Sequence, residues 1–318
     1  MRFNIKFICQ TILNVTSAIT LVACATDNMD WMQENDSAIN NKTIYQISLP
    51  GSYIANAYNI DGNEAKCIGE TLPQSYSNNA QLFQQMEGSN SDSTSTQMST
   101  FIDSLNSQNT DVLSQLKNGV RYLDIQICRQ ESEFYTTNLY LTDKFSLIAE
   151  QINQFLDTHP EEMVIIDFDN NLRDEQGYMA TPNITDFHNY LEKTFGTLLT
   201  PKTRMFNTIA QLKEQHYRII ILSTNEELND YSDIWDKNQV SITQDAQSAT
   251  IKKLAILENT LGNNAAATTN KFNIVPLYSE PSINMFVDGI DGNDTDQAMI
   301  INYLQQNILN HPGIVVSD

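Results

Sequence analysis

From Val112 onward the chain switches repeatedly between two hydrophobic periods. Apolar residues fall at helical spacing over residues 112–119, 145–156, 187–195, 209–215, 251–261 and 298–309. Between these segments lie short apolar runs of strand type at 163–169, 218–222, 274–278 and 313–316. Alternation of this kind builds a largely parallel sheet, because each helix returns the chain to start the next strand in the same direction. The runs are short, apolar and closed by polar residues, which fits a closed, somewhat irregular (β/α) barrel better than an open sheet. No Gly-x-Gly-x-x-Gly or Walker motif is present, so a nucleotide-binding doubly wound sheet has no support.

Residues 120–128 alternate in character. Leu123, Ile125 and Ile127 take one side; Tyr122, Asp124, Gln126 and Cys128 take the other, which predicts Asp124 and Gln126 pointing together into the barrel. An earlier β-like run, 44–49, ends at Pro50-Gly51. Residues 61–107 are rich in Ser, Asn, Gln and Thr and read as a long surface insertion with a short helix near 80–86. With 318 residues, 41% of them hydrophobic, there is ample core for one large domain or two small ones.

The amino-terminal stretch reads as an export signal. Arg2 and Lys6 precede a mostly apolar stretch, 7–23, and Leu21-Val22-Ala23-Cys24 follows. A small residue before Cys24 is similar to the lipobox of bacterial lipoproteins, in which the Cys is acylated; an ordinary secretory signal is the alternative. The expected organisation is a signal over 1–23, a lipid-anchored linker over 24–30 and a barrel domain over 31–318. Loss of 1–23 removes two cations and no acid, leaving 16 Lys and Arg against 39 Asp and Glu, about −23 net. Such a chain is repelled by nucleic acid and by anionic lipid surfaces. Outside the signal and Cys24, Cys67 and Cys128 remain: a disulfide pair in an oxidising compartment, or two buried thiols.

Trp31-Met32, Leu49-Pro50-Gly51, the run from Gln115 to Asp124 and the run from Phe155 to Ile165 together resemble the X domain of phosphatidylinositol-specific phospholipases C, TIM-type barrel phosphodiesterases. Trp31-Met32 is similar to the family's opening, and Leu49-Pro50-Gly51 to its first strand-to-loop motif. Gln115-Leu116, Gly119-Val120-Arg121-Tyr122 and Asp124 match its QL-x-x-G-[IV]-R-[YF]-x-D strand. Phe155-Leu156, His159-Pro160, Glu162 and Val164-Ile165 match its next turn and strand. The resemblance runs over residues 31–318, with 61–107 as extra sequence.

The resemblance implies a phosphoric diester hydrolase with one His as general base, a second as general acid, and an Arg or Ca²⁺ stabilising phosphate charge. Carried over by position, the first His falls on Tyr53 and its acidic neighbour on Ile54. The second His falls on Asn138 and the Arg on Gln126; only Asp124 is kept. A Ca²⁺ set of the kind some relatives use would map to Asp124, Tyr122 and Asp169, of which two are acids. Residues 291–294 hint at a calcium loop but lack its terminal Glu and read as a turn.

Substitute groups are scarce. Of four histidines, His159, His216 and His311 precede predicted strands and His188 lies in a predicted helix, all away from the strands' carboxyl ends. A phenol of ordinary pKa near 10 is a poor base at neutral pH. The carboxylates Asp124, Asp167 or Asp169, Glu226, Glu280 and Asp318 fall at strand ends, either as cation ligands or as the solvated rim of an acidic protein. The leading expectation is a catalytically impaired lipoprotein with a pocket lined by Tyr53, Tyr122, Asp124, Gln126 and Asn138, suited to a polyol, sugar or phospholipid head group. An active phosphodiesterase with Ca²⁺ at Asp124 and Asp169 is the alternative, and a structural lipoprotein with a vestigial pocket the third reading.

Overall fold

The structure is a computed structural model describing residues 28–67, 92–168, 172–243, 271–276 and 313–317. Its strands are β1 (Ser48–Ser52), β2 (Tyr122–Asp124), β3 (Ile127–Gln130), β4 (Glu133–Asn138), β5 (Tyr140–Lys144), β6 (Val164–Asp167), β7 (Leu172–Asp174), β8 (Gly177–Tyr178), β9 (Ile219–Ser223), β10 (Ile234–Asp236), β11 (Ser241–Thr243), β12 (Phe272–Pro276) and β13 (Gly313–Ser317). The α-helices are α1 (Trp31–Glu34), α2 (Asp36–Ile39), α3 (Asp92–Leu105), α4 (Val112–Lys117), α5 (Phe145–Thr158), α6 (Asn183–Phe195), α7 (Ile209–Glu214) and α8 (Lys237–Val240).

Eight strands form one sheet in the order β10-β9-β6-β2-β1-β13-β12-β11, with every pairing parallel. The first strand pairs with both the second and the last, so the order is that of a ring. Among the described residues the ring lacks a pairing between β10 and β11, which α8 separates. This is the irregular barrel the strand–helix alternation predicts.

Strand parity sorts the core. Leu49, Tyr122, Ile165, Ile220, Trp235 and Ile314 are buried in one inward-facing cluster. Leu123, Val164, Ile166, Ile219, Ile221 and Ile234 belong to a second, between the sheet and its helices. Helix α5 shows why its sequence is helical: Phe145, Ile148, Ala149, Ile152, Phe155 and Leu156 repeat at three and four residues, and all are buried. Each of the Phe, Ile and Leu side chains contributes roughly 1.5–3 kcal/mol by leaving water.

Two local expectations are corrected. Residues 44–46 form a 3-10 turn, closed by a capping box between Thr43 and Gln46, so the first strand starts at Ser48 and runs through Pro50-Gly51. The alternating run at 120–128 is not one strand. β2 leaves the barrel at Asp124, and Ile127 starts a second, five-stranded sheet in the order β5-β4-β3-β7-β8. The shared parity of Asp124 and Gln126 therefore does not carry across the break.

The insertion is more than a surface loop. In helix α3, Phe101 and Leu105 are buried, and Cys67 is disulfide-bonded to Cys128 on β3 across 61 residues. The predicted helix at 80–86 lies outside the described residues. Closing a loop of that length restricts the unfolded chain by about 4 kcal/mol on the chain-entropy account. Reduction should lower stability by several kcal/mol, read as a drop in urea midpoint with reductant; an unchanged midpoint contradicts it.

The amino-terminal end of the barrel is closed by the segment 28–42. The Trp31 indole Nε1 donates to Gly119 O at 2.9 Å. Arg121, directly before β2, and Glu162, just before β6, form an ion pair whose side chains are fully buried. Arg121 Nη2 donates to Met29 O at 2.6 Å, while Glu162 accepts from the backbone N of Met32 and Gln33. Burial pushes the Glu162 carboxyl up and the Arg121 guanidinium down, and the attraction between them opposes both shifts. The family-type Arg and Glu of the two motifs are thus floor residues, far from the strands' carboxyl ends.

Candidate functional site

In a (β/α) barrel the reacting groups sit at the carboxyl ends of the strands. Here that rim is built around the loop 53–57, which follows β1. Nearly every polar group of this loop is held. Ile54 N donates to Asp124 Oδ2 at 3.3 Å, and Ala55 N donates to Asp124 O at 2.7 Å. Gln115 Nε2 donates to Ala55 O, and Gln108 Nε2 donates to Tyr53 O, both at 2.8 Å. Asn56 is buried and bridges the two sheets, donating to Thr137 O and accepting from Gln126 N. The motif residues Gln115 and Asp124 are therefore braces of the loop.

The loop's side chains are another matter. Ile54 is 3% exposed and packs in an apolar cluster with Ala57, Ile60, Phe101, Leu105 and Leu139. Two of these belong to α3, so the insertion helix sits against the rim. Tyr53 is half-buried and packs against both this cluster and the inward-facing barrel core. Ile54 adopts φ 40°, a left-handed conformation that a β-branched side chain seldom takes. Asn or Asp would fit that backbone more readily, so the packing against α3 must outweigh the local strain.

Asn138 ends β4, and its Nδ2 donates to Leu105 O at 2.6 Å, fastening α3 from the other side. Gln126 sits in the link between the sheets, its backbone O accepting from Thr137 N. Tyr53, Asp124, Gln126 and Asn138 thus surround one loop, although they come from both sheets. Asp169 lies outside the described residues, as do Glu280, Asp318, Cys24 and His311. Glu226 is exposed on the loop after β9.

Beneath the rim, sequence reasoning missed a buried polar cluster. Asp167, at the end of β6, is an acceptor for the Tyr122 hydroxyl and lies 2.6 Å from Lys237 Nζ. The Asp167 side chain is 1% exposed and that of Lys237 11%. Lys237 follows the three-residue strand β10, too short for a periodic signal. The Tyr122 hydroxyl, read from the sequence as pocket lining, is engaged with Asp167. Lys237 is thus partnered by a carboxylate from inside the barrel.

The three described histidines stand apart from this rim. His159 caps α5 and His216 follows α7, both ahead of their strands. His188, on α6, is buried. Its Nε2 lies 2.9 Å from Asp233 Oδ1, its Nδ1 lies 3.9 Å from Glu192 Oε2, and its ring stacks on Tyr231. These three residues lie close enough to share a cation. The carboxylates nevertheless face opposite ring nitrogens, an arrangement that ties α6 to the segment before β10.

Residues 88–225 match the family model described as phosphatidylinositol-specific phospholipase C, X domain. This stretch of the chain is similar to that family. It is 31% identical over 124 residues to a 1-phosphatidylinositol phosphodiesterase of Listeria monocytogenes, a match spanning 37% of this chain and 36% of that protein. It is 20% identical over 287 residues to PI-PLC X domain-containing protein 2 of Mus musculus, spanning 89% and 78% of the two chains. Its fold is similar to that of the phosphatidylinositol-specific phospholipase C from Listeria monocytogenes, with a TM-score of 0.57 at 17% identity over 92% of this chain and 94% of that one. A Staphylococcus aureus phosphatidylinositol-specific phospholipase C carrying pentafluoro-Phe gives the same TM-score at 14% identity, over 92% and 91%. The X-domain match begins at 88, so helix α3 lies within it, while the loop 53–57 lies outside it. Among the described residues no helix is long and apolar enough to cross a membrane.

Restoring the X-domain acid at the rim should be costly. Ile54→Asp would place a carboxylate in the apolar cluster beside Asp124. Desolvation of the charge should outweigh any backbone relief and destabilise the fold by more than about 2 kcal/mol. Thermal unfolding reads this, and a neutral or stabilised variant would mean that α3 does not seal the loop.

Proposed function

We propose that this chain is a non-catalytic relative of the X-domain phospholipases, a ligand-binding or interaction module held at a bacterial envelope membrane by a lipid on Cys24. The observation that carries the reading is the burial of Ile54 under helix α3: the position matching the family's acid beside its first His is a packing residue. Asn138, at the second His position, spends its amide on the same helix. Neither Tyr53 nor Asn138 can exchange a proton at neutral pH as a His does.

The ligand class follows from what the rim offers. Gln126, Tyr53 and Asp124 present hydrogen-bonding groups, while Lys237, the nearby cation, is already paired with Asp167. An uncharged polyol or sugar suits such a rim better than a phosphate, which would need a free cationic partner. Calorimetry of the mature domain with myo-inositol and simple sugars tests this. Heat that disappears in Gln126→Ala supports the polyol reading; heat with inorganic phosphate alone contradicts it.

Asp124 at the rim, with Asp169 two residues beyond β6, sustains a second reading: a phosphodiesterase using Ca²⁺ in place of the histidines. Titration with millimolar Ca²⁺ decides it. Binding heat and thermal stabilisation, both lost in Asp124→Asn, would favour the cation site; neither effect would reject it.

A further inference from the structure

We infer that the rim of the barrel opens away from the membrane that Cys24 would hold, so its ligand arrives from the aqueous side and is not a head group of the anchoring leaflet. The inference rests on the proposed lipid anchor and goes beyond it.

The first described residues are fixed to one end of the barrel. Met29 is bonded to Arg121, Trp31 to Gly119, and Met32 and Gln33 to Glu162. Asp36 pairs with Lys213 of α7 at 2.6 Å. Arg121, Glu162 and α7 all precede their strands, and all eight barrel strands run parallel. The chain therefore joins the fold at the amino-terminal end, while Tyr53, Asp124, Asp167 and Lys237 lie at or beyond the carboxyl ends.

Chain length then limits the tether. Four residue steps separate Cys24 from Asn28, a reach of about 14 Å at full extension. The five-residue strands β1 and β9 alone span about 17 Å, before the rim loops are added. Turning the rim toward the membrane would also take the tether around an outer helical layer about 10 Å thick. The reach is too short for that path.

Charge points the same way, independently. Among the described residues, the segments at the amino-terminal end, 28–47, 115–121, 157–163, 201–218 and 229–233, carry seven cationic and nine acidic side chains. These segments hold only two acids in excess, against about 23 for the mature chain. A nearly balanced patch can rest on an anionic surface that repels a strongly acidic one. Phe206, 60% exposed at this end near Lys202 and Arg204, adds an apolar contact of the kind found at membrane interfaces.

The test uses the full-length lipidated protein in liposomes whose head groups carry a nitroxide quencher. A dye is attached at Phe206→Cys, on the amino-terminal side, or at Tyr178→Cys, an exposed position of β8 in the second sheet beyond the rim. The expected result is quenching at 206 and none at 178, with the difference lost once a long Gly/Ser segment is inserted after Cys24. Equal quenching, or stronger quenching at 178, in a protein with acylated Cys24 overturns the orientation alone. A mature chain whose Cys24 carries no acyl mass overturns the anchor and the orientation together.

Discussion

Glu162→Ala should destabilise the protein by about 3–5 kcal/mol, because it strands a buried guanidinium. Glu162 Oε2 accepts from Arg121 Nε at 2.8 Å and Nη2 at 2.6 Å, and the carboxylate also accepts the backbone N–H groups of Met32 and Gln33. No water reaches the pair, since both side chains are fully buried. Arg121 is further sandwiched by Trp31 and the Phe155 ring, 5.7 and 4.6 Å from its guanidinium carbon. The loss should appear as a fall in melting temperature on the order of 10 °C. Glu162→Gln, which keeps the shape and, with its amide oxygen at the Oε2 position, the contacts to Arg121 and Met32, should lose less. The same substitution frees segment 28–42, so limited proteolysis should clip it there before the barrel is cut. A loss below about 1 kcal/mol, the scale of one neutral hydrogen bond, would mean that the pair does not close the barrel floor.

Lys237→Met should cost a similar amount at neutral pH. Methionine keeps the apolar stem but removes the ammonium 2.6 Å from a carboxylate buried inside the barrel. The companion substitution Asp167→Asn removes the charge that the ammonium served. The double variant Lys237→Met, Asp167→Asn should therefore recover much of the loss, and a double-mutant cycle in urea gives the coupling directly. Additive losses would show that the two groups do not depend on each other. Restored stability with unchanged polyol binding would further place the pair beneath the ligand site and outside it.

The barrel was legible in the sequence where strands were continuous apolar runs. β6, β9 and β13 are such runs, and in β6 and β9 burial on both faces leaves no polar alternation to confuse the period. The second sheet was not legible. β4 reads Glu-Phe-Tyr-Thr-Thr-Asn and is half exposed, so neither its length nor its hydrophobicity separates it from a polar loop. β10 is three residues long and carries no period. At the site, the motif spacing pointed to Tyr53, Ile54, Gln126 and Asn138, which the structure sets around one loop braced by Gln115 and Asp124. What spacing could not give was the new occupation of that loop. The contact of Ile54 with Phe101 and Leu105 spans about fifty residues of polar sequence, and the Lys237–Asp167 pair spans seventy. Such pairs leave no local pattern and come only from the fold.

The central claim is that the rim has lost its chemistry while keeping its shape. Phosphatidylinositol cleavage by the mature domain tests it most directly, measured with and without Ca²⁺ beside a Tyr53→Ala, Asp124→Ala variant. The account predicts no release of head group above the uncatalysed rate under either condition, from either protein, under conditions where a phosphatidylinositol-specific phospholipase C is active. Turnover by the unaltered domain that disappears in the variant would contradict it.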